Sequence, residues 1–256
     1  MRALRYVAPL REGGSLPALM EADDEGTYVV KFRGAGQGPK ALVAEILAGG
    51  IGRALGLRIP DIVLVELDPA FARLEMDPEI QHLLRASEGL NLGLDFLPGA
   101  ISFDALVPPA PSTELAADIV WFDAFVTNID RTARNTNLLV WHGQLWLIDH
   151  GASLYFHHDW TDDLARARST FPLVREHVMF PLAGDLMAAD ARAHARLDEV
   201  RLRSIIADIP ETWIEGNYDV RQTADVRTDY LRFLATRLEH STDFVEEALR
   251  ARAQLV

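Results

Sequence analysis

A chain of 256 residues that is 49% hydrophobic and 25% charged carries enough apolar material for a sizeable core and reads as one compact unit of ordinary globular composition. Its formal net charge of −13 argues against general nucleic-acid binding, whose affinity rests on many lysine and arginine contacts to phosphate. The absence of cysteine excludes disulfides and thiolate metal sites, and no apolar run reaches membrane-spanning length.

The N-terminal MRALRYVAPL is too short in its apolar part for a secretory signal, so the expected location is cytoplasmic and no membrane partner is expected. Residues 2 to 10 read as a first strand. Arg11 to Ser15, with Gly13 and Gly14, supply a turn before a second strand around Leu16 to Met20. TYVVKF, residues 27 to 32, is a β-prone third strand, and the three follow one another as an antiparallel set. Lys31 inside that strand must reach solvent or meet a charge, because burying an unpaired ammonium is costly.

GAGQGPK, residues 34 to 40, invites a phosphate-loop reading that fails, since Pro39, Lys40 and Ala41 stand where Gly, Lys and Ser or Thr are needed. It reads instead as a turn leading into a helix over 40 to 55 that contains Glu45. Asp61 to Leu67 is a fourth strand, and Asp77-Pro78 starts a short helix to Ala86. Leu90 to Leu97 alternates like a fifth strand, and Pro98-Gly99 ends it.

After the prolines at 108, 109 and 111, Ser112 and Glu114 open a long helix. Its apolar residues Ile119, Phe122, Val126 and Ile129 recur at helical spacing and predict an end near Asn128. Leu138 to Trp141 and Gln144 to Ile148, separated by His142-Gly143, read as a hairpin. It returns Asn135, before its first strand, towards Asp149, after its second, while Gly151 frees the backbone just beyond.

Asp130 precedes Asn135 by five residues, so two acids and an amide converge, the residue types that orient a hydroxyl and hold magnesium on phosphates. Taken singly, each is as readily a cap or turn former. Arg131 and Arg134 flank this loop and either meet a phosphate or are solvated surface arginines. His157 and His158 lack a separated third ligand and read as structural. Residues 164 to 168, 173 to 187, 191 to 206 and 226 to 255 look helical, and Trp213 reads as a packing anchor.

Asp-x4-Asn followed by a hairpin and Ile-Asp-x-Gly resembles the catalytic and metal-binding segments of the protein-kinase-like fold. The wording NIDRTARN and LIDHG is most similar to HipA-like kinases. The resemblance implies an α+β, two-lobed protein-kinase-like fold: a β-rich N-lobe over 1–98, a hinge over 99–111 and a helical C-lobe over 112–256. It matches Asp130 to the catalytic aspartate, and Asn135 and Asp149 to the metal-binding residues. Lys31 would contact nucleotide phosphates and pair with Glu45, Gly13, Gly14 and Ser15 would line a glycine-rich loop, and Phe96 and Leu97 would form the hinge against an adenine. Two departures stand out: Asn128 replaces the usual histidine of the catalytic loop, and His150 replaces phenylalanine after the metal-binding aspartate.

The resemblance implies an ATP-dependent kinase using Mg2+ and acting on a hydroxyl, with protein Ser or Thr the favoured acceptor and Ser15 a candidate for autophosphorylation. A small-molecule phosphotransferase and a non-catalytic nucleotide-binding pseudokinase are the alternatives. HipA toxins carry additional N-terminal material, whereas this chain starts at a first strand, so no toxin activity or antitoxin partner is carried over.

Overall fold

The computed structural model describes residues 1–10, 16–160, 164–218 and 223–254. Strands β1 (Ala3–Pro9), β2 (Ala18–Ala22) and β3 (Thr27–Lys31) form the expected antiparallel set, after which helix α1 (Pro39–Ala54) interrupts the sheet. Strand β4 (Ile62–Leu67), helices α2 (Ala70–Leu74) and α3 (Pro78–Ala86) and strand β5 (Gly89–Asp95) follow. β5 slots between β3 and β4, giving the order β1-β2-β3-β5-β4. β2 lies further along the chain than its composition predicts, because pairing with β1 runs from Pro9↔Ala18 to Ala3↔Ala22.

The pleat decides what each face holds. Tyr28 and Val30 of β3 point into a core shared with Val65, Leu67 and Ile80, while Val29 packs against the core that contains α1. Lys31 shares the Val29 face, so the period of two carries its side chain towards α1 rather than to open solvent.

The second half begins with the short strand β6 (Ile101–Ser102) and helix α4 (Thr113–Phe125), capped at its start by the Ser112 hydroxyl, which accepts from the Leu115 N–H. Residues Ile119 to Phe125 are all buried, as expected of a helix that forms the centre of a core rather than its edge. Strands β7 (Leu138–Trp141) and β8 (Gln144–Leu147) pair as the predicted hairpin, and His142 and Gly143 both have positive φ (49° and 69°), the requirement of a tight two-residue turn. β6 adds to β7, a pairing the sequence did not announce.

Helices α5 (Leu186–His194), α6 (Glu199–Ala207), α7 (Glu211–Ile214), α8 (Thr223–Glu239) and α9 (Thr242–Ala253) complete the helical half. The longer predicted runs are broken where the chain supplies stops. Pro172 and Pro181 lie in 3-10 turns, Asp185 and Asp198 cap new helices, and His240-Ser241 separates α8 from α9. The halves are joined by α1 packing on α6 and by the Trp213 indole, which donates to the Leu90 carbonyl at 3.1 Å. Among the described residues, no helix is long and apolar enough to cross a membrane.

α4 ends at Phe125 with Val126 as its cap, earlier than its apolar spacing predicts. Thr127 adopts φ 55°, the Asn128 N–H donates to the Asp123 carbonyl at 2.8 Å, and the Thr127 N–H lies 3.4 Å from that of Ala124. This is a Schellman closure with threonine where glycine is usual. Ile129, counted by periodicity with the helix face, is instead 40% exposed in the following loop.

Candidate active site

Lys31 is the meeting point of the two halves. Its Nζ bonds Glu45 Oε1 from α1 and, at 2.6 Å, Asp149 Oδ1 from the end of the hairpin. Burial pushes the Lys31 ammonium down, but the charges of Glu45 and Asp149 outweigh it and raise its pKa above the usual lysine value. Burial likewise pushes the Glu45 carboxyl up, and Lys31 together with His150 overrides this, holding it well below the carboxylate range. Glu45 is sealed, whereas the Asp149 side chain remains 48% exposed, so one carboxylate is structural in environment and the other faces solvent.

The residue after Asp149 explains part of that geometry. The His150 N–H donates to Glu45 Oε1 at 2.8 Å, and its ring, fully buried, packs edge-on against Phe122 at 5.7 Å. The histidine therefore fills the space beneath Asp149 and ties its backbone to α1. The unusual backbone is at Asp149 itself, with φ 56°, and not at Gly151, where an added Cβ would meet only ordinary contacts at 3.6 Å and beyond.

The catalytic-type loop is held from behind. Asp130 Oδ2 accepts from Asn135 Nδ2 at 2.8 Å and from Asn137 Nδ2 at 3.2 Å, and the Asp130 N–H donates to Asn128 Oδ1 at 3.1 Å. Asn128, in the position where a histidine is usual, thus fixes the backbone of the acid that follows. Asn137 escaped sequence reasoning because it lies outside the Asp-x4-Asn spacing. Its φ of 47° is a conformation that asparagine tolerates, and its carbonyl receives the Ile148 N–H at 3.0 Å.

Neither sequence reading of Arg131 holds: it is fully buried, so it is neither a phosphate contact nor a solvated arginine, whereas Arg134 is exposed. Arg131 pairs with Asp123 of α4, a residue nothing in the sequence singled out, since an acid in an apolar helix looks like any helix-face acid until burial is known. Burial raises the Asp123 carboxyl, and the Arg131 charge and the His177 hydrogen bond outweigh it, leaving it well below the usual range.

At the segment between the halves, the Phe96 N–H donates to the Thr27 carbonyl at 3.0 Å, and the Leu97 carbonyl accepts from Ala100 at 3.1 Å. Gly13, Gly14 and Ser15 lie outside the described residues. His157 is buried, with Nδ1 2.7 Å from the Tyr230 hydroxyl and Nε2 3.2 Å from His158 Nε2. Among the described residues, no cluster of three or more metal-ligating side chains occurs.

A family model described as HipA-like kinase matches residues 5–247. Among solved structures, the chain is similar to the Helicobacter pylori proinflammatory kinase CtkA, with a TM-score of 0.55 and 15% identity over 96% of this chain and 94% of that one. At that identity the likeness concerns the fold alone. No curated protein matches. The family match runs through both halves and takes in Lys31, Glu45, Asp130, Asn135 and Asp149, and the chain therefore belongs to the HipA-like kinases.

Proposed function

We propose that the protein is an ATP-dependent kinase that transfers the γ-phosphoryl group to a hydroxyl, with protein Ser or Thr the favoured acceptor. The observation that carries this reading is the bridge made by Lys31 between Glu45 of the β-rich half and Asp149 of the helical half, which brings together side chains 118 positions apart in sequence. A lysine shared between a sealed and a half-exposed carboxylate is placed to meet phosphate oxygens when a nucleotide enters the cleft. The lobes would run over 1–98 and 112–256, joined by 99–111.

The donor set fits magnesium: the Asn135 amide and the Asp149 carboxylate offer the hard oxygen ligands that ion takes, and both residues reach solvent. When bound, Mg2+ would neutralise charge on the β and γ phosphates. Asp130 has its Oδ2 occupied by the two asparagine amides, which leaves Oδ1 to orient the acceptor hydroxyl and take its proton. Lys31, held by Glu45, binds phosphate, and Phe96 and Leu97 would form the hinge against an adenine. Gly13, Gly14 and Ser15 would cover the phosphates, and Ser15 would be the site of autophosphorylation, detectable by intact mass and peptide mapping after incubation with ATP.

Calorimetry with Mg-ATP, followed by labelled-phosphate transfer to protein extracts and to a metabolite panel, tests the proposal. Asp130→Asn should keep nucleotide binding and lose about 10²–10⁴-fold in turnover, the usual contribution of a positioned acid or base. Binding without transfer to any acceptor would make the protein a nucleotide sensor, and transfer to metabolites alone would move it to the small-molecule phosphotransferases. Absence of Mg-ATP binding would end the proposal.

A further inference from the structure

Arg131 follows Asp130 directly, yet its guanidinium is fully buried beneath the loop, against Asp123 of α4. Nε donates to Asp123 Oδ2 at 2.6 Å. Nη1 bonds the Asn137 carbonyl and lies 3.4 Å from the Ile148 carbonyl. Those two carbonyls stand at the two ends of the β7–β8 hairpin: Asn137 is two residues past Asn135, and Ile148 immediately precedes Asp149. A single planar cation therefore grips the hairpin at both ends while its own backbone carries Asp130.

Asp123 is the counterweight. Its Oδ1 accepts from Asn128 Nδ2 at 2.8 Å, and its Oδ2 accepts from both Arg131 and His177 Nε2, the latter at 2.8 Å. The Met179 N–H points at His177 Nδ1 at 3.0 Å, which needs a lone pair there and so places a proton on Nε2, facing Asp123. Asn128 then passes the constraint to the Asp130 N–H. Among the described residues, the side-chain hydrogen bonds that lead from α4 to Asp130 and to the two chain ends of the hairpin start from this one carboxylate.

Stability alone does not call for such a cluster. A buried ion pair can often be replaced by apolar residues without loss, and Arg131 Nη2 is buried with no hydrogen-bond partner among the described residues, which itself costs about 1–3 kcal/mol. What an apolar substitute cannot do is present hydrogen-bond donors in a rigid fork to a carboxylate and two carbonyls. We infer that Arg131 is a positioning residue: neutralised by Asp123, it fixes Asp130 relative to Asn135 and Asp149 by holding both ends of the hairpin. This rests on the kinase reading above, and it assigns to Arg131 a function that does not involve touching substrate or nucleotide.

The test compares the full-length wild type with Arg131→Lys, which keeps the charge but not the fork, and with the uncharged pair Asp123→Asn/Arg131→Gln. Thermal melts establish folding, calorimetry reads Mg-ATP affinity, and labelled-phosphate transfer to myelin basic protein reads kcat. Hydrogen exchange at the Ile148 amide, in nucleotide-free protein, reads the hairpin ends directly. Arg131→Lys should bind Mg-ATP within about threefold of wild type while kcat falls about 100-fold, the cost of a misplacement of about 1 Å. Its Ile148 amide should exchange about tenfold faster. If Arg131→Lys does not fold, the uncharged pair decides on the same readouts. A folded variant with wild-type kcat, or with unchanged exchange at Ile148, overturns the positioning role while leaving the kinase reading intact. A wild type that neither binds Mg-ATP nor transfers phosphate removes the kinase reading and the positioning role with it.

Discussion

Glu45 and Asp123 are both sealed carboxylates on largely buried helices, and each is paired with a cation, but the cations are used differently. Lys31 divides a point charge between Glu45 and Asp149, and Asp149 is still half in solvent. Arg131 instead spends its fork on one carboxylate and on backbone carbonyls, with nothing exposed. The first arrangement can exchange a partner when an anionic ligand arrives, because one of its members is already hydrated. The second has no such freedom. On the proposed reading, near-identical chemistry would serve ligand contact in one place and support in the other, and solvent access to the third group is what separates them.

The largest effect that would break this comparison concerns stability. Arg131→Met leaves Asp123 buried without its cation and should cost about 3–5 kcal/mol in urea unfolding. Lys31→Met should cost less, about 1–3 kcal/mol, because one of the two carboxylates it leaves is hydrated and, unlike Arg131, its bonds among the described residues go to no backbone carbonyl. Equal losses would show that the two pairs are not different in kind.

Acid sharpens the same contrast. Glu45 and Asp123 both titrate below their unfolded values near pH 4, so the stability they contribute is present above about pH 4 and is lost as pH falls through their folded values. Urea midpoints measured downward from neutrality should fall on the acid side, and the fall should be shallower in Asp123→Asn/Arg131→Gln, which lacks the Asp123 contribution and keeps that of Glu45. An unchanged acid limb in that variant would contradict the assignment.

The smallest effect lies at the junction leading to the supported loop. Thr127 holds a left-handed backbone with its hydroxyl buried and without a hydrogen-bond partner among the described residues, so Thr127→Gly should stabilise the protein by up to about 1 kcal/mol, after the entropy of glycine in the unfolded chain is subtracted. A loss of stability there would mean that the threonine side chain contributes packing not evident from its strained geometry.

The β-rich half was legible at the level of its strands because alternation and β-branched residues mark them directly, and Lys31 stood out as a charge in an apolar run. The hairpin was equally plain, since His142-Gly143 permits few other turns. The helical half was less so. Residues 173 to 187 and 191 to 206 each read as helical, and what divides them differently is local: prolines in 3-10 turns and aspartates that cap new starts. Ile129 misled because helical spacing continues past the point where Thr127 turns the backbone left-handed.

By itself the amino-acid sequence determined the spacing of Asp130, Asn135 and Asp149, the presence of Lys31 and Glu45, and the α+β division, because these depend on residue type and on periods of two and 3.6. Only the tertiary structure decided that Arg131 faces inward, that Asp123 is its counter-charge, and that Asn137 joins the loop. Those are facts of burial: a charged side chain reads the same in sequence whether water or a carboxylate neutralises it, and the choice is made by the elements that close over it.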